Sequence, residues 1–157
     1  MAIWRRAAAA ILVVGLAGSP ALATTTGQYY WCDTSTGFAI AGFDPVAYFV
    51  DRMPRQGSAE HEYVWQGVTW RFVSEANRAV FERDPEVYAP QYGGYGAERV
   101  AAGALSEGSP VIWSIIGDRL YFFTTEARLE LWREGARARK RRADINWPKL
   151  NRRLVRE

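Results

Sequence analysis

Two tight turns between runs of aromatic and branched residues constrain the fold of this chain more than any other feature. Residues 62–73 carry such side chains on both sides of Gln66-Gly67, and residues 111–124 do so around Gly117-Asp118. A two-residue turn that contains glycine between such runs is typical of a β-hairpin. Since the strands of a hairpin run in opposite directions, the sequence predicts two antiparallel pairs.

Signals for helix starts follow the hairpins. Ser74 precedes one predicted helix, and Thr125 precedes another that we expect to run from residue 126 to about residue 142. Hydroxyl and carboxylate side chains accept hydrogen bonds from the free N–H groups of a first helical turn, so these residues are predicted caps. The Asp-Pro pairs at residues 44–45 and 84–85 predict two further caps, because proline suits the first helical position.

Hairpins that alternate with helices, without a βαβ run, predict an α+β domain. We expect a small antiparallel sheet from the two hairpins, packed with three or four helices. An additional strand is expected at residues 38–43, and the ordered part is expected to end near Asn146-Trp147-Pro148. The sequence shows no internal repeat and no interdomain linker, so a single domain is expected.

The N-terminal residues have the three parts of a secretory signal peptide. Arg5-Arg6 is positive, residues 7–18 are apolar or small, and Ala21-Leu22-Ala23 suits a signal peptidase. The apolar run is shorter than the roughly 20 residues of a membrane span. We therefore expect cleavage after Ala23, a periplasmic or secreted protein, and no transmembrane span in the mature chain. An uncleaved anchor and twin-arginine export stay as alternatives.

Charge is divided unevenly along the chain. Residues 24–127 contain seven arginines and thirteen acidic residues, whereas residues 128–157 contain eleven basic and four acidic residues. A basic C-terminal helix, with its cluster at residues 137–142, could contact an anionic membrane surface. The interpretation that we favour is a solvated helix face that also contacts the acidic body of the protein. Nucleic acid is not expected as a partner of an exported protein.

Candidate metal ligands are few. Cys32, Met53 and His61 are far apart, and no Cys-x-x-Cys or His-x-x-x-His motif occurs. A soft-metal site usually needs two to four such ligands at suitable spacing. Cys32 is the single cysteine, so an intramolecular disulfide is excluded and a buried inert thiol is expected. His61 is expected in a solvated loop. The sequence assigns no metal ligand, no cofactor and no catalytic residue.

A glycine-rich loop at residues 92–95 is the candidate ligand site. It lacks the Lys-Ser/Thr of a phosphate loop, so its glycines are expected to form a turn with positive φ. Aromatic side chains with polar tips commonly wall ligand sites. The competing interpretation is that these aromatic side chains form an ordinary core. The candidate ligand residues are Tyr48, Trp70, Tyr88, Tyr92, Gly93, Gly94 and Tyr95.

Several segments resemble the YHS domain family in its long, exported bacterial form. They include residues 42–49 (GFDPVAYF), 67–72 (GVTWRF), 84–95 (DPEVYAPQYGGY) and 143–150 (ADINWPKL), so the resemblance covers roughly residues 36–150. It implies a small α+β domain. Shorter YHS domains are similar to metal-binding modules that occur beside copper transporters and oxygenases. Many long relatives have cysteine where this chain has Gly96, so a metal or redox role of that cysteine would be lost here.

The residue patterns and the resemblance together divide the chain into four predicted parts. They are a signal peptide (residues 1–23), an extended arm (24–36), a YHS-like domain (37–150) and a basic C-terminal tail (151–157). We expect an exported, non-catalytic binding module that holds a small ligand or a protein partner near residues 92–95. A copper-type metal-handling module and a protein that docks on anionic surfaces through its basic helix are the alternatives.

Overall fold

The computed structural model describes residues 30–154. The predicted signal peptide, residues 24–29 of the predicted arm and residues 155–157 lie outside the described residues. Within this part the helices are α1 (Ala47–Val50), α2 (Glu75–Arg83), α3 (Pro85–Tyr88), α4 (Ala97–Ala101), α5 (Glu126–Glu134) and α6 (Ala136–Leu154). The strands are β1 (Ser58–Trp65), β2 (Val68–Phe72), β3 (Ser109–Ile115) and β4 (Leu120–Phe123).

The predicted α+β class is confirmed, with two differences in detail. β1 pairs with β2 and β3 pairs with β4, both antiparallel, and the pairs form two separate two-stranded sheets. Six α-helices occur in the described residues where three or four were expected. One reason is that the helical turns predicted at the two Asp-Pro pairs are the four-residue helices α1 and α3. The other is that the helix predicted at residues 126–142 is divided into α5 and α6 at Gly135.

Both predicted hairpin turns are confirmed. Gln66 and Gly67 have φ values of +53° and +77°, and Gly117 and Asp118 both have φ of +57°. Positive φ at both central residues is the requirement of the type I′ turn, whose twist matches that of the flanking strands. The local sequence therefore determines where both hairpins reverse direction.

The structure repeats one arrangement twice, which the sequence did not reveal. The first unit, residues 40–83, consists of a left-handed turn, α1, the β1–β2 hairpin and α2. The second unit, residues 91–134, consists of a left-handed turn, α4, the β3–β4 hairpin and α5. The expectation that the chain has no internal repeat is therefore wrong for its architecture.

Local details of the two units also correspond. A bulge interrupts each hairpin at the same place, after the pairs Ser58–Phe72 and Ser109–Phe123. A hydroxyl caps α2 and α5, accepting the N–H three residues later at 3.2 Å in each case. Equivalent residues, first unit then second, are Gly57 and Gly108, Trp65 and Ile116, Trp70 and Tyr121, Ser74 and Thr125, and Phe81 and Trp132. The side chains have diverged, while the backbone plan is kept.

Strand β4 joins the two hydrophobic clusters of the protein. Leu120 and Phe122 are buried in a cluster with the first unit, and Tyr121 and Phe123 are buried in a cluster with α4, α5 and α6. Successive side chains of a strand point to opposite faces, so one short strand serves both clusters. This double burial explains why β4 has no polar residue.

The segment expected as a strand at residues 38–43 is a 3-10 turn instead. Ile40 and Ala41 have φ values of +46° and +54°, which a strand cannot contain. Ile40 is fully buried, and its N–H donates to the Trp31 carbonyl at 3.3 Å. The described part of the predicted arm is likewise held in place: Trp31 is buried, and Cys32 forms a bridge with Ala39.

The C-terminal region differs most from expectation. The predicted helix from residue 126 to 142 breaks at Gly135, and α6 then continues through Pro148 to Leu154. Proline normally interrupts a helix because it lacks an N–H donor. Here Leu150 and Asn151 are buried beyond it, and this burial favours continued helix over the predicted end. No helix of residues 30–154 combines the length and apolarity that crossing a membrane requires.

The buried Tyr48 hydroxyl makes a testable contribution at alkaline pH. Its oxygen donates to the Pro110 carbonyl at 2.8 Å, and burial raises the pKa of the phenol well above its usual 10.0. Since the folded state favours the neutral phenol, the free energy of unfolding should fall as pH rises above about 10, by up to about 1.4 kcal/mol per pH unit for this group. Urea unfolding at pH 8, 10 and 11 measures this slope. Tyr48→Phe should make it shallower, and an unchanged slope would refute the assignment.

Candidate functional site

A left-handed turn at residues 92–94 forms the base of the candidate site. Gly93 and Gly94 have φ values of +62° and +83°, as predicted for the two glycines, and Tyr92 also has a positive φ of +54°, which was not predicted. The Trp31 N–H donates to the Gly93 carbonyl at 2.7 Å, and the Gly108 N–H donates to the Gly94 carbonyl at 3.1 Å. A left-handed tyrosine costs about 1–2 kcal/mol, so these surrounding bonds stabilise a conformation that is unfavourable by itself.

Helix α6 provides one wall beside this turn. The Tyr92 hydroxyl donates to Asp144 Oδ1 at 2.8 Å, and Lys140 Nζ donates to Asp144 Oδ2 at 2.7 Å. Burial, and next the hydrogen bond to Asp144, raise the pKa of Tyr92, so its hydroxyl stays a donor at neutral pH. The Trp147 ring lies 6.0 Å from Tyr92 and 6.2 Å from Tyr95.

Two adjoining cavities lie above this base, and we call them together the Tyr30 groove. They have volumes of about 260 and 420 Å³, and both are lined by Tyr30 and Gln91. The smaller cavity is also lined by Pro90, Tyr92, Gly93, Asp144 and Trp147. The larger is also lined by Trp65, Gln66, Glu86, Ala89 and Arg119. The groove is therefore lined by both aromatic rings and hydrogen-bonding groups.

The structure separates the predicted ligand residues into three groups. Tyr92 and Gly93 line the Tyr30 groove, and the buried Gly94 and half-buried Tyr95 support its base. Tyr88 is half-buried and packs against Phe49, with ring centroids 5.3 Å apart. Tyr48 and Trp70 have no exposed surface. A ligand from solvent cannot reach them, so for these two residues the core interpretation is correct.

Several residues that line the groove were not found from the sequence. Tyr30 belongs to the polar segment that was expected to be an arm, and its ring lies 5.1 Å from the rings of both Trp65 and Trp70. Asp144 and Trp147 belong to residues 143–150, a segment that resembles YHS domains, and the residue pattern alone assigns them no role in a site. No periodicity links these residues to Tyr30, because α6 and residue 30 lie at opposite ends of the described chain and only tertiary packing brings them together.

The candidate metal ligands do not form a site. No group of three or more His, Cys, Asp or Glu within residues 30–154 is arranged to hold a metal ion. Cys32 lies beside Ala39, whereas His61 lies in β1, not in the expected loop, with Nδ1 3.7 Å from Glu75 Oε2. The residues described therefore do not fit a closed copper or zinc centre.

Packing explains glycine at position 96. A Cβ atom at Gly96 would lie 2.9 Å from Thr124 Cγ2 and 3.1 Å from Glu98 Oε2. The Glu98 carboxylate also accepts hydrogen bonds from the Thr124 N–H, at 3.2 Å, and from the Thr124 hydroxyl. A larger side chain, including cysteine, would displace this pair, so glycine is the residue that the local structure requires.

Comparison with known families gives a match in the first half of the structure. The family model of the YHS domain matches residues 46–92. Residues 46–92 are therefore similar to the YHS domain. The matched segment contains α1, the β1–β2 hairpin, α2 and α3, and it ends in the left-handed turn at the base of the groove. The match is narrower than the resemblance over residues 36–150.

The second unit begins where the YHS match ends, although its backbone plan is the same. The side chains at equivalent positions differ, as Ile116 differs from Trp65, and the family match does not extend beyond residue 92. Searches of curated proteins and of solved structures found no match to the chain.

Proposed function

We propose that this protein is an exported, non-catalytic binding module whose Tyr30 groove holds a small ligand or a short segment of a partner protein. The observation that carries the proposal is the continuity of the two cavities of about 260 and 420 Å³ across Tyr30 and Gln91. Sites for small molecules are concave, largely preformed and lined by aromatic residues with a few polar groups. The groove next to the YHS-like segment has these properties.

The lining indicates the chemistry of the ligand. Tyr30, Trp65 and Trp147 offer apolar ring surface, and the Gln66 and Gln91 amides offer donors and acceptors. Such a surface suits a ligand that combines flat or apolar faces with neutral hydrogen-bonding groups, as short peptides and sugars do.

Two charged side chains that line the groove, Arg119 and Asp144, are already engaged by the protein. Arg119 Nη1 donates to the Glu86 carbonyl at 2.8 Å, and Asp144 accepts from Tyr92 and Lys140. These bonds fix the walls before a ligand arrives, which lowers the entropic cost of binding. They also leave the amides of Gln66 and Gln91 as the groups most suited to direct recognition.

Ligand-observed NMR with the full chain and a panel of di- and tripeptides and mono- and disaccharides tests this function. We expect at least one class to bind. Gln91→Leu should weaken that binding by about tenfold, which corresponds to about 1.4 kcal/mol, because it removes an amide at the centre of the groove. Ile145→Ala changes an exposed residue of the same helix as Trp147 and serves as the control.

Two results would contradict the proposal. One is a panel without any binder, or with binding that Gln91→Leu leaves unchanged. The other is evidence for metal handling, which is the alternative function that the similarity to YHS domains suggests. Stoichiometric copper or zinc in the full chain, lost in Cys32→Ser and in His61→Ala, would favour that alternative. Export is tested separately, by fractionating cells that express the full chain.

A further inference from the structure

A further cavity of the second unit lies between the β3–β4 hairpin and the α5–α6 junction. It has a volume of about 290 Å³, and its wall is almost entirely carbon. Apolar cavities stay dry and can accept apolar ligands, and one of about 150 Å³ is already large enough for benzene. The residues lining it are Ile116, Tyr121, Trp132, Ala136, Arg137 and Lys140.

The internal repeat shows why this space exists. In the first unit the equivalent place is filled by the Trp65 ring, whose centroid lies 5.7 Å from Phe81 and 6.0 Å from Trp70. In the second unit Ile116 occupies the position of Trp65, and it follows β3 as Trp65 ends β1. Isoleucine has no ring to fill the gap, so the cavity corresponds to a place that an indole fills in the other unit.

Positive charge surrounds the opening of the cavity. Arg137 and Lys140 are exposed, and their carbon stems form part of the wall, which leaves their charged ends toward solvent. A shallower groove of about 560 Å³ adjoins the cavity at Ala136 and Arg137, and it is also lined by Arg133 and Arg141.

These cations differ in how far the protein itself neutralises them. Lys140 is paired with Asp144 at 2.7 Å, and Arg133 is paired with Glu130 at 2.5 Å. Arg137 and Arg141 make no ion pair within residues 30–154. An unpaired guanidinium beside a carbon-walled cavity suits a ligand with an apolar end and a negative end.

We propose that this cavity binds the apolar chain of a single-chain anionic amphiphile, a fatty carboxylate, whose carboxylate contacts Arg137. The size of the cavity suits one acyl chain and excludes both chains of a membrane phospholipid together. The proposal concerns a different site from the Tyr30 groove, so it stands or fails independently of the function proposed above.

Calorimetric titration of the full chain with monomeric decanoate tests the proposal. We expect saturable binding of one decanoate per chain. Ile116→Trp should weaken it by at least about tenfold, because the new indole fills the cavity as Trp65 fills its counterpart. Arg137→Gln should weaken the binding of decanoate by about threefold, since an exposed ion pair contributes less than about 1 kcal/mol. The same substitution should leave the binding of uncharged decanol unchanged.

Control variants show whether a loss of decanoate binding comes from filling the cavity or from any added large side chain. Val111→Trp places an indole on the exposed face of β3 and should bind decanoate like the wild type. Ala136→Leu narrows the same cavity from the helix side and should also weaken binding, so the proposal remains testable if bulk at residue 116 unfolds the chain. Full binding by both cavity-filling variants would overturn the proposal.

A vesicle experiment distinguishes a free fatty carboxylate from a membrane surface. Wild-type protein that sediments with phosphatidylglycerol vesicles at low salt, but does not bind decanoate, would overturn the proposal in favour of docking through the basic cluster at residues 137–142. Decanoate binding that survives high salt and is lost in Ile116→Trp supports it, because burial of the chain is insensitive to screening.

Discussion

Replacing Asp44 by alanine should lower the free energy of unfolding by about 3–5 kcal/mol. The Asp44 carboxylate is fully buried, and Oδ1 accepts the N–H groups of Val46 and Ala47 at 2.8 and 3.3 Å. Its Oδ2 accepts the Val73 N–H at 2.8 Å and Asn77 Nδ2 at 2.7 Å. Alanine would leave these four donors without an acceptor in a site that water does not reach, and each orphaned donor is costly.

The matched control is Asp84→Ala, since Asp84 also precedes a proline and a short helix. Its side chain is exposed, makes no cap hydrogen bond, and pairs only with Arg83 at 3.0 Å among the described residues. We expect a change below about 0.5 kcal/mol there. Urea unfolding followed by far-UV circular dichroism measures both variants. Equal effects of the two substitutions would show that the four hydrogen bonds of Asp44 do not stabilise the link between α1, β2 and α2.

Replacing Gly108 by alanine should lower the free energy of unfolding by about 3 kcal/mol. A Cβ atom there would lie 2.5 Å from Phe122 Cβ and 2.6 Å from the Gly94 carbonyl oxygen. The oxygen belongs to the backbone of the left-handed turn below the Tyr30 groove, so neither neighbour can move aside without shifting β4 or the base of the site. Thermal unfolding measures the loss of stability. The same variant should also weaken the binding of any ligand in the Tyr30 groove.

Glycines in the hairpins provide the comparison for this prediction. Gly57 is the counterpart of Gly108 in the first unit, and its Cβ would meet backbone atoms of Arg71 and Phe72 at 2.5 and 2.6 Å, so Gly57→Ala should cost a similar amount. Gly117 has positive φ but nothing within 4 Å, so Gly117→Ala should cost only about 1 kcal/mol. A larger loss of stability from Gly117→Ala than from Gly108→Ala would contradict the close approach of Gly108 to Phe122 and Gly94.

The repeat gives these predictions a common physical basis. Each unit needs an acceptor for the N–H that follows its second strand: Asp44 accepts from Val73 in the first unit, and Glu98 accepts from Thr124 in the second. Asp44 and Gly96 are equivalent, because each lies two residues after the glycine, Gly42 or Gly94, whose carbonyl accepts the N–H of Gly57 or Gly108. The second carboxylate, Glu98, therefore lies two residues beyond the position of the first. The two units thus share a backbone geometry but place the accepting carboxylate at different positions. A comparison of the two sequences cannot detect this correspondence.

Local sequence signals predicted the local features of the protein well. The Gln66-Gly67 and Gly117-Asp118 turns, the Ser74 and Thr125 caps and the positive φ at Gly93 and Gly94 are each determined by a few adjacent residues. For the same reason the α+β class followed from the order of hairpins and helices. The resemblance to YHS domains was confirmed for residues 46–92. The signal peptide, the cellular location and the absence of catalysis stay predictions.

Long-range packing decided the rest. The turn at Ile40, the continuation of α6 through Pro148 and the burial of Tyr48 and Trp70 all depend on contacts between distant segments. The Tyr30 groove likewise combines Tyr30, Gln91 and Trp147 from three parts of the chain. Short-range preferences amount to less than about 1 kcal/mol per residue, whereas burying a large side chain contributes about 1.5–3 kcal/mol. The sequence by itself therefore determined the turns, the Ser74 and Thr125 caps and the similarity of residues 46–92 to the YHS domain, whereas the predicted cap at Asp84 makes no cap hydrogen bond. The tertiary structure decided which aromatic residues form the core and which line a site.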